Sequence, residues 1–128
     1  MATIVTTFLA DSIRSHVLGM QSMPVPTTTK VALYTVGTGI IDNVPTGEVV
    51  DPNYQRMVVT FNEEGLSDPF HFEGMSVEVT ISHVGFIGNI NGVDKILFAL
   101  ELDTPKTFVA GEPIWFEEGK VDLSISPN

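Results

Sequence analysis

Residues 74–125 read GMSVEVTISHVGFIGNINGVDKILFALELDTPKTFVAGEPIWFEEGKVDLSI. Apolar and polar residues alternate along most of this stretch, and Gly, Asn and Pro interrupt it at short intervals. Alternation with a period of two is typical of strands that bury one face, and closely spaced turn residues are typical of antiparallel sheets. The sequence therefore predicts a mainly β fold, an antiparallel β-sandwich of jelly-roll-like form, with one short N-terminal α-helix.

The stretch also predicts where its strands turn. Asn91-Gly92 is a strong signal for a two-residue hairpin, because both residues tolerate the positive φ angles of a type I′ turn. Two further short strands are expected within residues 104–125. The alternation predicts inward-facing side chains in the two strands that the hairpin joins: Val77, Val79 and Ile81 in the first, and Ile96, Phe98, Leu100 and Leu102 in the second.

Two earlier segments are also predicted to be strands. In residues 30–36, Val31 and Leu33 should face one side and Ala32 and Tyr34 the other. Residues 54–61 should place Tyr54, Arg56, Val58 and Thr60 on one side and Met57, Val59 and Phe61 on the other. Residues 37–53 lie between these segments and are rich in Gly and Pro. A loop of this length is often functional, so we expect a contact surface there.

The N-terminal residues carry the pattern of a helix. Apolar side chains recur at helical spacing from Val5 to Val17, and Gly19 is a natural C-terminal stop. Pro24 and Pro26 then exclude a helix or a central strand. We therefore predict a single domain, in which a helix (residues 1–19) and an extended proline-rich connector (residues 20–29) precede the β-sandwich (residues 30–128).

Composition narrows the class of function. Six Lys and Arg residues oppose sixteen Asp and Glu residues, which gives a formal net charge of −10. Such a chain repels phosphate backbones, so we expect no nucleic-acid partner. No apolar run is long enough to span a membrane, and the first residues are a poor match to a signal peptide. Cysteine is absent, which fits synthesis in a reducing cytoplasm.

Residues able to support chemistry occur without the spacing that chemistry requires. His16, His71 and His83 are too far apart in sequence for a helical zinc site. Glu63-Glu64 and Glu117-Glu118 are adjacent pairs beside glycines, as expected for solvated turns rather than for carboxylates that face each other across a cleft. We therefore expect no enzyme, no catalytic residues, no metal site and no cofactor.

The order of the segments resembles a family of small bacteriophage virion proteins, tail-fibre-like or capsid-decorating. The resemblance rests on TTFLADSIRSHVLG, a Pro-x-Pro before VALYT, NYQRMVVTF, ISHVGF and LDTPKTFVAGEPIWFEEGKVDLSI. It covers most of the chain except residues 37–53. There the family usually has Gly next to its Tyr-x-Arg element, whereas this chain has Asp51-Pro52-Asn53.

The resemblance implies a structural component of the virion, assembled in the host cytoplasm and bound to major capsid or tail proteins. A compact chain of this length spans only about 40 Å, so by itself it cannot be a long fibre. A decoration (cement) protein on the capsid is the first expectation, and a tail-fibre, tail-tip or adaptor module is the alternative. Homo-oligomers, trimers above all, fit closed symmetry. The expected interface residues are Met20, Met23, Val25, Pro26, Ile40, Ile41, Val44 and Tyr54.

Two other functions remain open from the residues alone. A receptor- or glycan-binding module would stack exposed aromatic side chains, such as Tyr34, Tyr54 or Trp115, on sugar rings. A small hydrolase would use side chains from the acidic turn region, namely Glu63, Glu64, Asp68 or His71.

Overall fold

The computed structural model describes residues 2–116. Seven strands and one helix follow each other along this part of the chain. Their bounds are β1 (Ala2–Val5), α1 (Thr7–Val17), β2 (Thr29–Tyr34), β3 (Met57–Val58), β4 (Phe70–Phe72), β5 (Val79–Ile90), β6 (Val93–Phe108) and β7 (Ile114–Phe116).

The strands form two antiparallel sheets. Five strands make the larger sheet in the order β1-β6-β5-β2-β3, and β4 pairs with β7 in the smaller one. The predicted mainly β, antiparallel fold with one helix is confirmed. The jelly-roll arrangement stays a prediction.

Strand β2, which lies between β5 and β3 in the larger sheet, buries both of its faces, and its alternating residues lie on the two faces that the sequence predicted. Val31 and Leu33 belong to the larger core cluster, where they are buried together with Phe86 of β5. The smaller sheet contributes Phe72 and Ile114 to the same cluster. One face of the large sheet is therefore covered by the small sheet.

A second core cluster lies on the other face of β2. Ala32 and Tyr34 are buried there with Ile87 and Ile96 of the β5–β6 hairpin. The cluster is completed by Ile40, which comes from the loop that follows β2. The long loop therefore covers part of this face of the sheet, because Ile40 packs against the apolar side chains there and shields them from water.

The hairpin between β5 and β6 turns where the sequence predicted it. Asn91 has φ 52° and Gly92 has φ 84°, and Ile90 pairs with Val93 across the turn. Asn89 reinforces the turn, because its Oδ1 accepts a hydrogen bond from the Gly92 backbone N–H at 3.1 Å. The type I′ prediction is confirmed.

A β-bulge in β6 divides the predicted inward residues between the two core clusters. Phe86 pairs with Phe98, but the next residue of β5, Ile87, pairs with Ile96, so Leu97 is the extra residue. Because side chains alternate between the two faces of a sheet, one extra residue places the side chains before it and after it on opposite faces from those that strict alternation predicts. Phe98 accordingly lies in the larger core cluster, with Leu100 and Leu102 packed against it, whereas Ile96 lies in the second cluster.

Two strand predictions are wrong at their ends. Val77 is exposed, because it precedes β5, which begins at Val79. The preceding residue, Ser76, donates hydrogen bonds to the Asp51 carboxylate from its N–H and its hydroxyl. The predicted strand over residues 54–61 is reduced to β3, the two residues Met57–Val58. Tyr54, the first residue of the predicted strand, lies in a turn instead, where its N–H donates to the Asp51 carbonyl.

The N-terminal helix is confirmed, but it begins later than predicted. Residues 2–5 form β1, which pairs antiparallel with β6 from Ala2↔Glu101 to Val5↔Phe98. The change from strand to helix occurs at Thr6, a buried residue whose hydroxyl donates to the carbonyls of Ile96 and Leu97 at 2.8 and 2.9 Å. Tertiary hydrogen bonds at Thr6 thus fix the start of the helix, which local periodicity alone did not locate.

Candidate interaction surface

The helix α1 has no buried residue. Phe8 and Leu9, in its first turn, are half-buried against the larger core cluster. Towards its end the apolar side chains face solvent, and the exposure continues into the connector. We call this region the helix–connector surface; its exposed large apolar residues are Ile13, Val17, Leu18, Met20 and Val25.

Both ends of the helix are fixed in position. At the N-terminus, the Thr6 side chain accepts a hydrogen bond from the Leu9 N–H at 3.3 Å, as an N-cap residue does. At the C-terminus, Gly19 has φ 72°, its N–H donates to the His16 carbonyl, and the Met20 N–H donates to the Ser15 carbonyl. This pair of bonds is a Schellman motif, so the predicted stop at Gly19 is confirmed.

The connector folds back onto the helix and then joins the sheet. His16 accepts a hydrogen bond from the Met23 N–H through its Nδ1 atom at 3.1 Å. Farther along, the Thr27 N–H donates to the Asn89 carbonyl. These contacts hold a segment that has no regular secondary structure of its own.

The predicted interface residues of the connector differ in accessibility. Met20 and Val25 are exposed, at 75% and 83% of their surface. Met23 and Pro26 are half-buried. Pro26 packs near the sheet, since a Cβ atom added at Gly88 would lie 3.0 Å from the Pro26 Cβ.

The long loop contributes less surface than predicted. Ile41 and Val44 are exposed, but Ile40 is fully buried in the second core cluster, which corrects its predicted interface role. The loop is anchored because Asn43 Oδ1 accepts from the Ile96 N–H at 2.6 Å and Asn43 Nδ2 donates to the Ile96 carbonyl at 3.1 Å. Ile41 lies beside the helix start, where its carbonyl accepts from the Thr7 N–H.

Tyr54 is half-buried and belongs to a hydrogen-bonded network inside the molecule, which we call the latch; its interface role stays a prediction. Its hydroxyl donates to Glu48 Oε2 at 2.6 Å and accepts from the Leu33 N–H at 3.1 Å. Arg56 donates two hydrogen bonds to the same carboxylate, from Nε at 2.9 Å and from Nη2 at 2.8 Å. Its Nη1 donates to the Asp94 carboxylate at 3.1 Å. The Tyr-x-Arg element therefore ties the loop to β2 and β6.

The electrostatics of this latch follow from its partial burial. Burial alone would raise the pKa of Glu48, but hydrogen bonds from Arg56 and Tyr54 outweigh it and hold the pKa below its ordinary value. Burial and the Glu48 carboxylate raise the pKa of Tyr54, and burial raises the pKa of Tyr34 to about 12. The latch is therefore an ionised carboxylate held by a cation and a neutral phenol.

The residues proposed for a hydrolase do not converge. Glu63 and Glu64 are exposed in a turn organised by Asn62, whose Oδ1 accepts from the Glu64 N–H. Within residues 2–116, no hydrogen bond or ion pair joins either glutamate to His71 or Asp68. In the same part of the chain, no group of three His, Asp or Glu residues is arranged to hold a metal ion.

One serine–histidine pair that the sequence analysis did not single out is close together. Ser82 Oγ lies 2.7 Å from His83 Nδ1, and Glu101 Oε2 lies 3.6 Å from Nε2. The Ser82 hydroxyl donates to the Thr35 carbonyl at 2.9 Å, so the imidazole Nδ1–H is the donor to Ser82 Oγ. The ring therefore does not accept the serine proton, as a nucleophilic serine would require.

Of the aromatic side chains considered for glycan binding, only Trp115 is accessible. Tyr34 is fully buried, and Tyr54 is half-buried and stacked on Phe72 with ring centroids 6.1 Å apart. Trp115 is 64% exposed and stacks on His71, its cross-strand partner, at 4.3 Å.

No helix among residues 2–116 is long and apolar enough to cross a membrane.

Residues 2–116 thus form a mainly β structure in which the helix and the connector display exposed large apolar side chains. The family model described as "Podophage GP4 fiber I protein gp80" matches residues 4–124. The chain belongs to this family. It is a phage structural protein and a virion component that associates with other virion components. No curated protein sequence matches it.

Proposed function

We propose that this protein is a non-enzymatic module of the phage fibre, which assembles by burying its helix–connector surface against another virion subunit. The observation that carries the proposal is a helix without one buried residue, followed by a series of exposed large apolar side chains. Single exposed apolar residues are common on protein surfaces, but several of them along one continuous segment favour an interaction site.

The rigidity of this surface supports the proposal. Thr6 fixes one end of the helix and the Schellman motif at Gly19 fixes the other, while His16 holds the connector. A preorganised surface loses little conformational entropy on binding, so more of the burial energy is available for association. Leu18 and Met20 would be its central contacts, because they project from the fixed end of the helix.

The description of the family as a fibre protein supports a location in the fibre. Decoration of the capsid is the second candidate, and it rests on the compact size of the chain. In either location we propose a homo-oligomer, with a trimer favoured, because closed symmetry is usual for such assemblies. The helix–connector surface is then buried either between copies or against a neighbouring virion protein.

The copy number on purified particles tests the location. We expect a small number that matches fibre symmetry, with density at the tail in particle maps. Hundreds of copies over the capsid would replace the fibre proposal with the decoration one. Absence of the protein from particles would contradict both.

Surface variants test the contact itself. We expect the double substitution Leu18→Ser, Met20→Ser to abolish incorporation into particles or to dissociate the oligomer in sedimentation experiments. Val50→Ser is the matched control, since Val50 is 96% exposed and lies outside this surface. Normal incorporation of the double variant would show that another surface makes the contact.

A further inference from the structure

We infer that a cleft between β6 and β7 binds a neutral saccharide, with Trp115 as the surface on which a sugar ring stacks. The cleft has a volume of about 560 Å³, which lies within the range of small-ligand sites. It is separate from the helix–connector surface, since the two share no residue. The inference therefore adds a ligand to the proposed structural role and does not depend on it.

Trp115 is held ready for stacking. Its indole lies against the His71 ring at 4.3 Å, and Glu73 Oε1 lies 3.2 Å from His71 Nε2. An exposed indole that is supported in this way keeps its orientation, so a ligand pays little to order it.

Polar side chains stand beside Trp115 along the cleft. Asp103, Thr104 and Lys106 are exposed and line it together with the indole. They lie where the β5–β6 ladder is interrupted, because Ile81 pairs with Lys106 but His83 pairs with Glu101. The irregularity thus supplies a carboxylate, a hydroxyl and an ammonium group next to an aromatic ring.

This combination matches a pyranose better than other ligands. A sugar ring has an apolar C–H face that stacks on an indole and a rim of hydroxyl groups that bond to polar side chains. A net charge of −10 disfavours anionic ligands such as phosphates, uronic acids or nucleic acids. Thr104 and Lys106 on the rim offer a hydroxyl and an ammonium group, which can bond to the hydroxyl groups of a neutral saccharide.

The floor of the cleft argues against an aliphatic chain. Leu33 is fully buried, and Ile81 and Val84 are almost so. The accessible lining therefore consists of aromatic and polar side chains and one half-buried aliphatic residue, Leu102, with Phe108 and Phe116 half-buried beside Trp115. Such a lining favours a flat ligand that lies across the cleft over a chain inserted into it.

Trp115 is the chain's one tryptophan, so its fluorescence reports on this site directly. The full-length protein would be titrated with neutral tetrasaccharides of glucose, galactose and N-acetylglucosamine in both anomeric linkages. We expect a saturable change in emission with at least one of them. Ligand-observed NMR would measure affinity in variants that lack the indole.

The variants separate stacking from general structure. We expect Trp115→Ala to weaken binding by about tenfold or more and Trp115→Phe to retain part of it, since a phenyl ring keeps a stacking face. Lys106→Ala should weaken binding by a smaller factor. Lys95→Ala is its matched control, because Lys95 lies near Phe8 and outside the cleft.

Three results would overturn the inference. One is the absence of binding by every saccharide at millimolar concentration, and another is binding that Trp115→Ala leaves unchanged. The third is binding of octyl glucoside without binding of methyl glucoside, which would identify an aliphatic ligand. Saccharide binding by the Leu18→Ser, Met20→Ser variant distinguishes this site from the assembly surface.

Discussion

The larger sheet and the N-terminal helix use apolar residues in opposite ways. Strand β2 buries Val31 and Leu33 on one face and Ala32 and Tyr34 on the other. Helix α1 buries none of its residues completely, although its sequence has the apolar spacing of a core helix. The same kind of pattern therefore stabilises the fold in one region and leaves a surface free for association in the other.

The sharpest test of this difference removes one large apolar side chain from each region. Phe86 is fully buried and stacks on Phe98 at 4.5 Å, so Phe86→Ala should cost about 3–5 kcal/mol of unfolding free energy. Leu18→Ala should change it by less than about 0.5 kcal/mol. Urea denaturation measures both. Equal losses would mean that Leu18 contributes to the core.

A second comparison separates two neighbouring isoleucines of the long loop. Ile40 is fully buried and Ile41 is exposed, so Ile40→Ala should destabilise the protein by about 2–4 kcal/mol. The adjacent Ile41→Ala should have an effect of under about 0.5 kcal/mol. Thermal unfolding of the two variants measures this. A small effect at Ile40 would contradict the role of the loop as a cover of the second core.

A third comparison concerns two tyrosine hydroxyls. Tyr54→Phe removes a donor to Glu48 and an acceptor for the Leu33 N–H, so it should cost about 1–3 kcal/mol. The buried Tyr34 hydroxyl has no hydrogen-bond partner within residues 2–116. Tyr34→Phe should therefore be neutral or stabilising. The reverse order of stability would show that the latch does not depend on Tyr54.

The latch also predicts sensitivity to acid. The pKa of Glu48 is below its ordinary value of 4.5, so its contribution to stability is complete above about pH 4.5 and is lost as the pH falls through the folded-state pKa. The pKa of Asp51 is also lowered, chiefly by the hydrogen bond from the Asn53 N–H. Protonation of Asp51 at low pH should therefore also reduce stability. Unfolding free energy measured from pH 7 to pH 3 should show this decrease. Glu48→Gln should reduce its slope, and an unchanged slope would contradict the assignment.

The smallest expected effect on stability belongs to the helix–connector surface. The variant Leu18→Ser, Met20→Ser should unfold within about 0.5 kcal/mol of the wild type. Its assembly should nevertheless fail, as proposed above. Calorimetry on the monomer separates the two properties. A large loss of stability would indicate that the surface is part of the fold.

Local signals predicted several elements correctly. Asn91-Gly92 forms the expected hairpin and Gly19 ends the helix, because each requires a positive φ that only a few residues adopt readily. The alternation of β2 assigned its faces correctly. These features depend on residues that are close together in the sequence, so they can be predicted from the sequence alone.

Other features depend on distant residues and were missed. Residues 2–5 pair with β6, nearly a hundred residues later, and were predicted as helix. The bulge at Leu97 moved Ile96 to the other core. Tyr54 turned inward to Glu48, a contact that no local pattern predicts.

The sequence by itself determined the class of fold, its principal turns and the residues available for a core, because strand alternation and turn chemistry are local properties. It also determined the acidic surface that disfavours nucleic acids. Only the tertiary structure decided which apolar residues are covered. Burial depends on what packs over a side chain, and for Ile40 and Tyr54 the covering partners come from elsewhere in the chain. For Leu18 and Met20, nothing within residues 2–116 covers them.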